Sequence, residues 1–355
     1  MRGPLAVSAP GKLILMGEHA VVYGRLALVA AIDLRLTVRL SPADSGIFLD
    51  LPGLGRSEHL SWREVRSYAR DARERWDAYS FQPGPSSFQE MRGEDPAHVV
   101  KAAVGEAMER FDEPAGLRLR VESDLPIGSG FGSSAATAIA VIAGVLSWLG
   151  QPLDDVERLA LEVERRQHGH PSGVDGATIL RGGVLWARRE ADGLRIKPVE
   201  VRSSLLSRLR VYDTGMPPEA TGAVVAAVRS RREADPARIE AILDRIEAAT
   251  VAFREELERE DEDRDRTLHL IREAQGCLEA LGVVPGEVRA AVREIEAAGG
   301  AAKVSGAGSL AGPGAGSLLV YHPDPGKLEH CAMLSLYPFH AVHLGAPGFR
   351  EESAG

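Results

Sequence analysis

Four short segments of this chain carry glycines or polar groups of the kind that hold phosphates, metals or protons. The segment LPIGSGFGSSA (125–135) sets Gly128, Gly130 and Gly132 at alternate positions, with Ser129 among them and Ser133 and Ser134 behind. Glycines let backbone N–H groups turn toward one ligand, and a helix starting at the serines would add unpaired N–H groups and a partial positive charge. Gly128, Ser129, Gly130, Gly132, Ser133 and Ser134 therefore form a phosphate-loop candidate. No Gly-Lys-Ser/Thr follows, as a Walker loop requires, and the valine-flanked hairpin of protein kinases is absent. A glycine-rich turn with Ser133 or Ser134 as a plain helix N-cap is the alternative.

In the segment 9–24, Lys12, Glu18 and His19 stand among apolar residues, where each needs a partner or a ligand if buried. A buried Lys–Glu pair would satisfy that need without any ligand. In 164–175, Glu164 is expected in the last turn of a helix, where the dipole disfavours a carboxylate, so a local cation such as Mg²⁺ would account for it. Asp175, between a turn and a strand, could face a cleft; a surface glutamate and a turn-forming aspartate are the bland readings. His168 and His170 with a carboxylate give a zinc alternative, without helical i, i+4 spacing between the histidines. The fourth segment, 303–316, runs from Lys303 through Gly306, Ala307 and Gly308 to Gly316, and either lines a ligand with backbone or is a flexible connection.

The elements that must position these groups follow from periodicity and turn signals. Apolar runs at 5–9 and 13–16, separated by Pro10-Gly11, predict a meander or hairpin set, and 26–40 predicts extended structure. A helix is predicted over 62–76, the loosest loop over 82–94, and a second helix over 96–111. A strand at 117–121 feeds the glycine loop, an apolar helix follows over 135–149, then a helix over 154–166 and a strand at 183–187. The remainder predicts a strand at 209–213, helices over 217–232, 236–276 and 285–298, and strands at 302–305, 317–321 and 340–344. The charged run at 255–266 reads as a solvated helix face. This order gives an α+β protein of two lobes, divided as 1–195 and 196–355.

At 355 residues, two packed lobes with a cleft between them are the expectation. A net charge of −9 and a pI near 5.7 argue against nucleic acid or an anionic membrane as partner, so any anion site must be local. With neither a basic-then-apolar leader nor a membrane-length apolar stretch, the expected location is cytoplasmic. Cys277 and Cys331 form neither a disulfide framework nor a zinc spacing, and read as small buried hydrophobes. Of the five lysines, Lys12 and Lys303 fall in glycine-rich segments.

Taken together, APGKLILMGEHAVVYG (9–24), PIGSGFGSSAA (126–136) and HGHPSGVD (168–175) resemble the GHMP kinase family, and within it the mevalonate kinase branch. The resemblance runs from residue 9 to about 321, with the long middle loops unmatched. It implies a two-lobed fold, with an N-terminal lobe like domain 2 of ribosomal protein S5 and a ferredoxin-like C-terminal lobe, ATP and substrate lying between. It further implies that the 128–134 loop holds the ATP phosphates, that Ser134 and Glu164 hold Mg²⁺, and that Asp175 is the base near Lys12. Glu18, His19, Thr214, Gly306 and Ala307 would face the substrate. The implied activity is ATP-dependent phosphorylation of the 5-hydroxyl of mevalonate in isoprenoid precursor synthesis. Phosphomevalonate or another small alcohol is the alternative acceptor, and a non-catalytic metabolite sensor the other class; a homodimer is compatible with either. Lys12, Ser134, Glu164 and Asp175 together argue against a sensor, which needs neither base nor metal ligands. Two departures stand out: Leu310, Ala311 and Pro313 lengthen the last glycine motif, and Trp186 stands where the branch often has an arginine, with Arg181, Arg188 and Arg189 nearby.

Overall fold

Two sheets organise the computed structural model, which describes residues 3–82, 85–111, 115–191 and 193–352. In chain order the elements are β1 (Leu5–Met16), β2 (Leu26–Pro42), β3 (Ile47–Leu51), β4 (Arg56–Leu60), α1 (Trp62–Phe81), α2 (Pro85–Arg92), α3 (His98–Met108), β5 (Leu117–Ser123), α4 (Ser133–Leu149), α5 (Val156–His168), α6 (Val174–Arg181), β6 (Val184–Glu190), β7 (Gly193–Pro198), α7 (Leu205–Arg208), β8 (Leu209–Asp213), α8 (Thr221–Ala234), α9 (Pro236–Glu258), α10 (Arg264–Leu281), α11 (Gly286–Ala297), β9 (Ala301–Ser305), β10 (Ser317–Tyr321), β11 (Phe339–His340) and β12 (Arg350–Glu352).

The first sheet has the order β12-β1-β2-β5-β3-β4, with β6 also on β2 and β7 on β6. The 17 residues of β2 allow this, since Leu36–Pro42 pair with β5 and Leu26–Ala30 with β6 while β1 runs along the other edge. The second sheet is β11-β8-β10-β9, antiparallel throughout. Strand β7 crosses the 195/196 division, and β12 returns to pair with β1, so the chain's end packs on the first sheet. Mixed α+β structure in two sheets agrees with the expected class. Among the described residues no helix is long and apolar enough to cross a membrane.

Several local readings are corrected by tertiary context. Pro10-Gly11 is a bulge within one continuous strand, not a turn: the register shifts there, and the Lys12 N–H leaves the ladder to bond Phe131 O at 2.9 Å. A bulge tolerates proline's missing N–H, and glycine is required because a Cβ at Gly11 would lie 2.4 Å from Leu125 Cδ2 and 2.9 Å from Phe131 O. Within the expected loop 82–94 lies α2, and the hairpin β3–β4 was not anticipated. Helix 236–276 is two helices, because Asp263 caps α10 through the Arg266 N–H. The charged run is mostly solvated as expected, but it spans the link between α9 and α10, and one member, Glu256, is fully buried and receives the Arg266 guanidinium at 2.7 Å.

Helix α4 is apolar on all sides and is accordingly buried, packing on β1, β2 and its neighbours α3, α5 and α6. Both cysteines are buried and unpaired. Beside α4, His98 of α3 is buried with its Nδ1 3.0 Å from Tyr68 Oη and no partner for Nε2, and burial pulls its pKa from 6.5 to about 4. An unfolded histidine takes its proton near 6.5, so between that pH and about 4 the unfolded state binds more protons and stability rises with pH. At roughly 1.4 kcal/mol per unit, acidification across this window is expected to cost about 3 kcal/mol. Urea unfolding of His98→Gln at pH 4.5 and pH 7 checks this: the variant should lose that part of the pH slope, and an unchanged slope would assign it elsewhere.

Candidate active site

Lys12 projects from β1 just past the bulge, and its Nζ lies 3.0 Å from Asp175 Oδ2. Asp175 sits in the first turn of α6, not before a strand, because Gly173 (φ 83°) turns the chain directly into helix. That placement suits a carboxylate, which the N-terminal end of the helix dipole favours. Lys12 is 4% exposed while a third of the Asp175 side chain remains open. The lysine stem crosses the glycine loop, where a Cβ at Gly132 would come within 2.8 Å of Lys12 Cγ.

Gly128, Gly130 and Gly132 have φ of 78°, 83° and 78°, left-handed values that glycine adopts without a steric cost. Gly132 is the N-cap of α4, whose first turn carries no side-chain cap, so its N–H groups are left for a ligand. The N-cap reading of Ser133 and Ser134 is thereby corrected: both lie inside the helix. Gly128, Gly130, Gly132, Ser133 and Ser134 line a cleft of about 860 Å³, whereas Ser129 is buried behind it. Opposite, Gly306, Ala307, Gly308 and Gly316 of the second lobe line the same cleft.

Ser134 Oγ donates to Glu164 Oε1 at 2.6 Å. Glu164 lies one residue before the last turn of α5 and is only 6% exposed. Burial raises its pKa above the ordinary carboxylate value, opposed by His168, whose Nε2 is 3.9 Å away, and by the Ser134 hydroxyl. A buried carboxylate beside a hydroxyl, short of a full cationic partner, has the donor chemistry of a Mg²⁺ site completed by phosphate oxygens. Among the described residues no three His, Cys, Asp or Glu side chains cluster as zinc ligands do.

His19 lines the cleft and donates from Nε2 to Ala307 O at 2.9 Å, and burial holds its pKa below the ordinary histidine value. Glu18 does not line the cleft. It is buried in an ion pair, but with Lys303 of the second lobe rather than with Lys12 of its own segment. Thr214 is likewise committed to the fold, accepting from Ala315 N–H at 2.8 Å and donating to Gly316 O at 2.7 Å. The lengthening residues of the last glycine motif are not part of the cleft lining, Ala311 and Pro313 being exposed, and Ser309 Oγ beside them donates to Glu219 at 2.7 Å and ties the loop to the chain entering α8.

The model of the GHMP kinases N terminal domain matches residues 98–183. The mevalonate kinase of Aeropyrum pernix is 34% identical over 87% of this chain and 87% of its own. The chain belongs to the mevalonate kinase family. The solved mevalonate kinase of Methanococcus jannaschii superposes with a TM-score of 0.72 over 96% of this chain and 98% of that one at 20% identity. That of L. major, solved in complex with R-mevalonate, gives 0.67 over 98% and 97% at 22% identity.

For a mevalonate kinase family member, the cleft's cations matter. Arg181 pairs with Glu157 at 3.0 Å and Arg188 with Glu247, which removes two of the three arginines near Trp186. Arg189 lines the cleft and, among the described residues, bonds the Pro171 carbonyl at 3.3 Å with no carboxylate partner. Arg229 of α8 lines it as well and was missed from sequence, although Gly222, Val225, Ala226 and Arg229 follow helical spacing on one lining face. Such an arginine looks like ordinary helix surface until the partner wall is known.

Proposed function

We propose that this protein transfers the γ-phosphoryl group of ATP to the 5-hydroxyl of mevalonate. The observation that carries the reading is the Lys12–Asp175 contact of 3.0 Å in the cleft that the Gly128–Ser134 loop also lines. An alcohol is a poor nucleophile at neutral pH, so Asp175 accepts its proton as the oxygen attacks phosphorus and the bond to the departing ADP oxygen breaks. Lys12 places an ammonium where negative charge grows, and the loop's N–H groups hold the phosphates in line. Glu164 and Ser134 would hold Mg²⁺, which when bound neutralises charge on the phosphates. Leu51, Leu54, Val99, Val100, Val121 and Ile127 give the loop's far side an apolar wall suited to the base.

Family membership at 34% identity over most of the chain supports mevalonate as acceptor. Purified protein should release ADP when given mevalonate; silence toward mevalonate with turnover of phosphomevalonate would replace this reading. Among the described residues Arg92, Arg189 and Arg229 line the cleft without a carboxylate partner, and of these Arg189, bonded to the Pro171 carbonyl four residues before Asp175, and Arg229 are the candidates for the acceptor's carboxylate. Changing either to methionine is expected to raise the mevalonate KM by about 10–100-fold, since a charge-assisted hydrogen bond is worth about 1.5–3 kcal/mol, with the ATP KM unmoved. Equal KM values in both variants and wild type would exclude both.

A further inference from the structure

The segment before the first cleft wall holds an unusual turn. His19 has φ 59° and ψ −44°, the only positive φ outside glycine among the described residues. Ala20 N–H bonds Glu18 O at 2.6 Å across it, closing a three-residue γ-turn of the positive-φ kind, which is rare and strained. Gly17 cannot take up the strain by moving, since its Cα faces the next strand so closely that a Cβ would lie 2.4 Å from Leu26 O. Strain of this sort persists only where the surroundings over-determine it.

The surroundings here belong to the other lobe. Lys303 of β9, 1% exposed, bonds both the Glu18 carboxylate and its neighbour's carbonyl, Val304 O, at 2.9 Å for the latter. The His19 ring is held by Ala307 O. Ser305 Oγ bonds Ile14 N at 3.0 Å and Ile14 O at 2.9 Å, fixing β1 to β9. Gln275 of α10 accepts from Val304 N–H at 3.1 Å, which anchors β9 in turn. The strained turn is therefore gripped on both sides by one strand and loop of the second lobe, and His19, Val21 and Val22 emerge from it to line the cleft.

We infer that the buried Glu18–Lys303 pair is a positioning device: through it the C-terminal lobe holds the His19 turn in its strained form and so sets the wall against which the acceptor's carbon skeleton lies. A pair kept only for stability would be an odd choice, because apolar residues of similar size serve as well or better in a core. Neither residue touches the ligand; both act through His19 and the wall behind it. This inference rests on the proposed function for its kinetic arm alone.

Two measurements on the full-length protein test it. In steady-state assays Glu18→Gln, which keeps an oxygen facing Lys303, is expected to raise the mevalonate KM about tenfold or more while kcat and the ATP KM stay within about threefold. In thermal unfolding, His19→Gly abolishes the steric cost of the turn, so the Tm drop caused by Glu18→Gln should shrink by about half or more in the His19→Gly background. A mevalonate KM within about twofold of wild type, a parallel rise of both KM values, or equal Tm drops in the two backgrounds overturns the inference. Should Glu18→Gln alone fail to fold, rescue by His19→Gly supports it and failure of the double variant refutes it. If the wild type does not turn over mevalonate, the functional reading falls, and the unfolding cycle still decides this one.

Discussion

Replacing Asp175 with asparagine is expected to lower kcat by about 10²–10⁴-fold while nucleotide affinity stays near that of the wild type. The amide keeps the shape of the side chain and its position in the first turn of α6, and a third of it is open, so the fold has little to lose. What disappears is the group proposed to take the alcohol's proton, together with the charge facing the Lys12 ammonium at 3.0 Å. Single-turnover assays separate the chemical step from product release, and a fluorescent nucleotide titration reads the binding side. A rate within about tenfold of wild type would reject Asp175 as the base.

Glu164→Gln should move activity and stability in opposite directions. Glu164 is buried and its pKa is raised chiefly by that burial, so in the absence of metal the charge is a cost to the folded state. Glutamine removes the charge and still meets the Ser134 hydroxyl through its carbonyl oxygen, hence the metal-free variant should melt higher than the wild type. With a ligand charge gone, the Mg²⁺ concentration needed for half-maximal activity should rise by a factor of about 30, equivalent to about 2 kcal/mol. Melting curves without Mg²⁺ and activity against Mg²⁺ concentration read the two arms. A lower Tm together with an unchanged Mg²⁺ requirement would make the Ser134–Glu164 contact purely structural.

The glycine loop and its helix were legible because their signals are local. Alternate glycines followed by serines and a long apolar run announce turn, N-terminus and buried helix within 25 residues, and the structure adds only that Gly132 is the cap. Lys12 and Asp175 were legible from the residues only as types; their closeness came from the family resemblance alone, since 163 positions separate them and no period relates a strand to a helix across a bulge. The Pro10-Gly11 bulge illustrates the difficulty. The same dipeptide that ends strands elsewhere is retained inside β1 because the glycine loop presses against it and takes the Lys12 N–H.

Two residues that the family resemblance puts at the substrate have partners within the protein: Lys303 of the second lobe pairs with Glu18, and the backbone at 315–316 bonds Thr214. Arg229 was passed over for the converse reason, as its helix face becomes a cleft wall only when the two lobes meet.

From the amino-acid order alone come the lobed α+β class, the glycine loop, and a short roster of groups able to move a proton or hold a cation, because glycine geometry and helix ends act over a few residues. Only the tertiary structure decided which of those groups share a cleft and which are spent on each other. Burial makes the difference: a carboxylate withdrawn from water must find a cation or a hydroxyl, and which one it finds depends on how the two sheets are brought together.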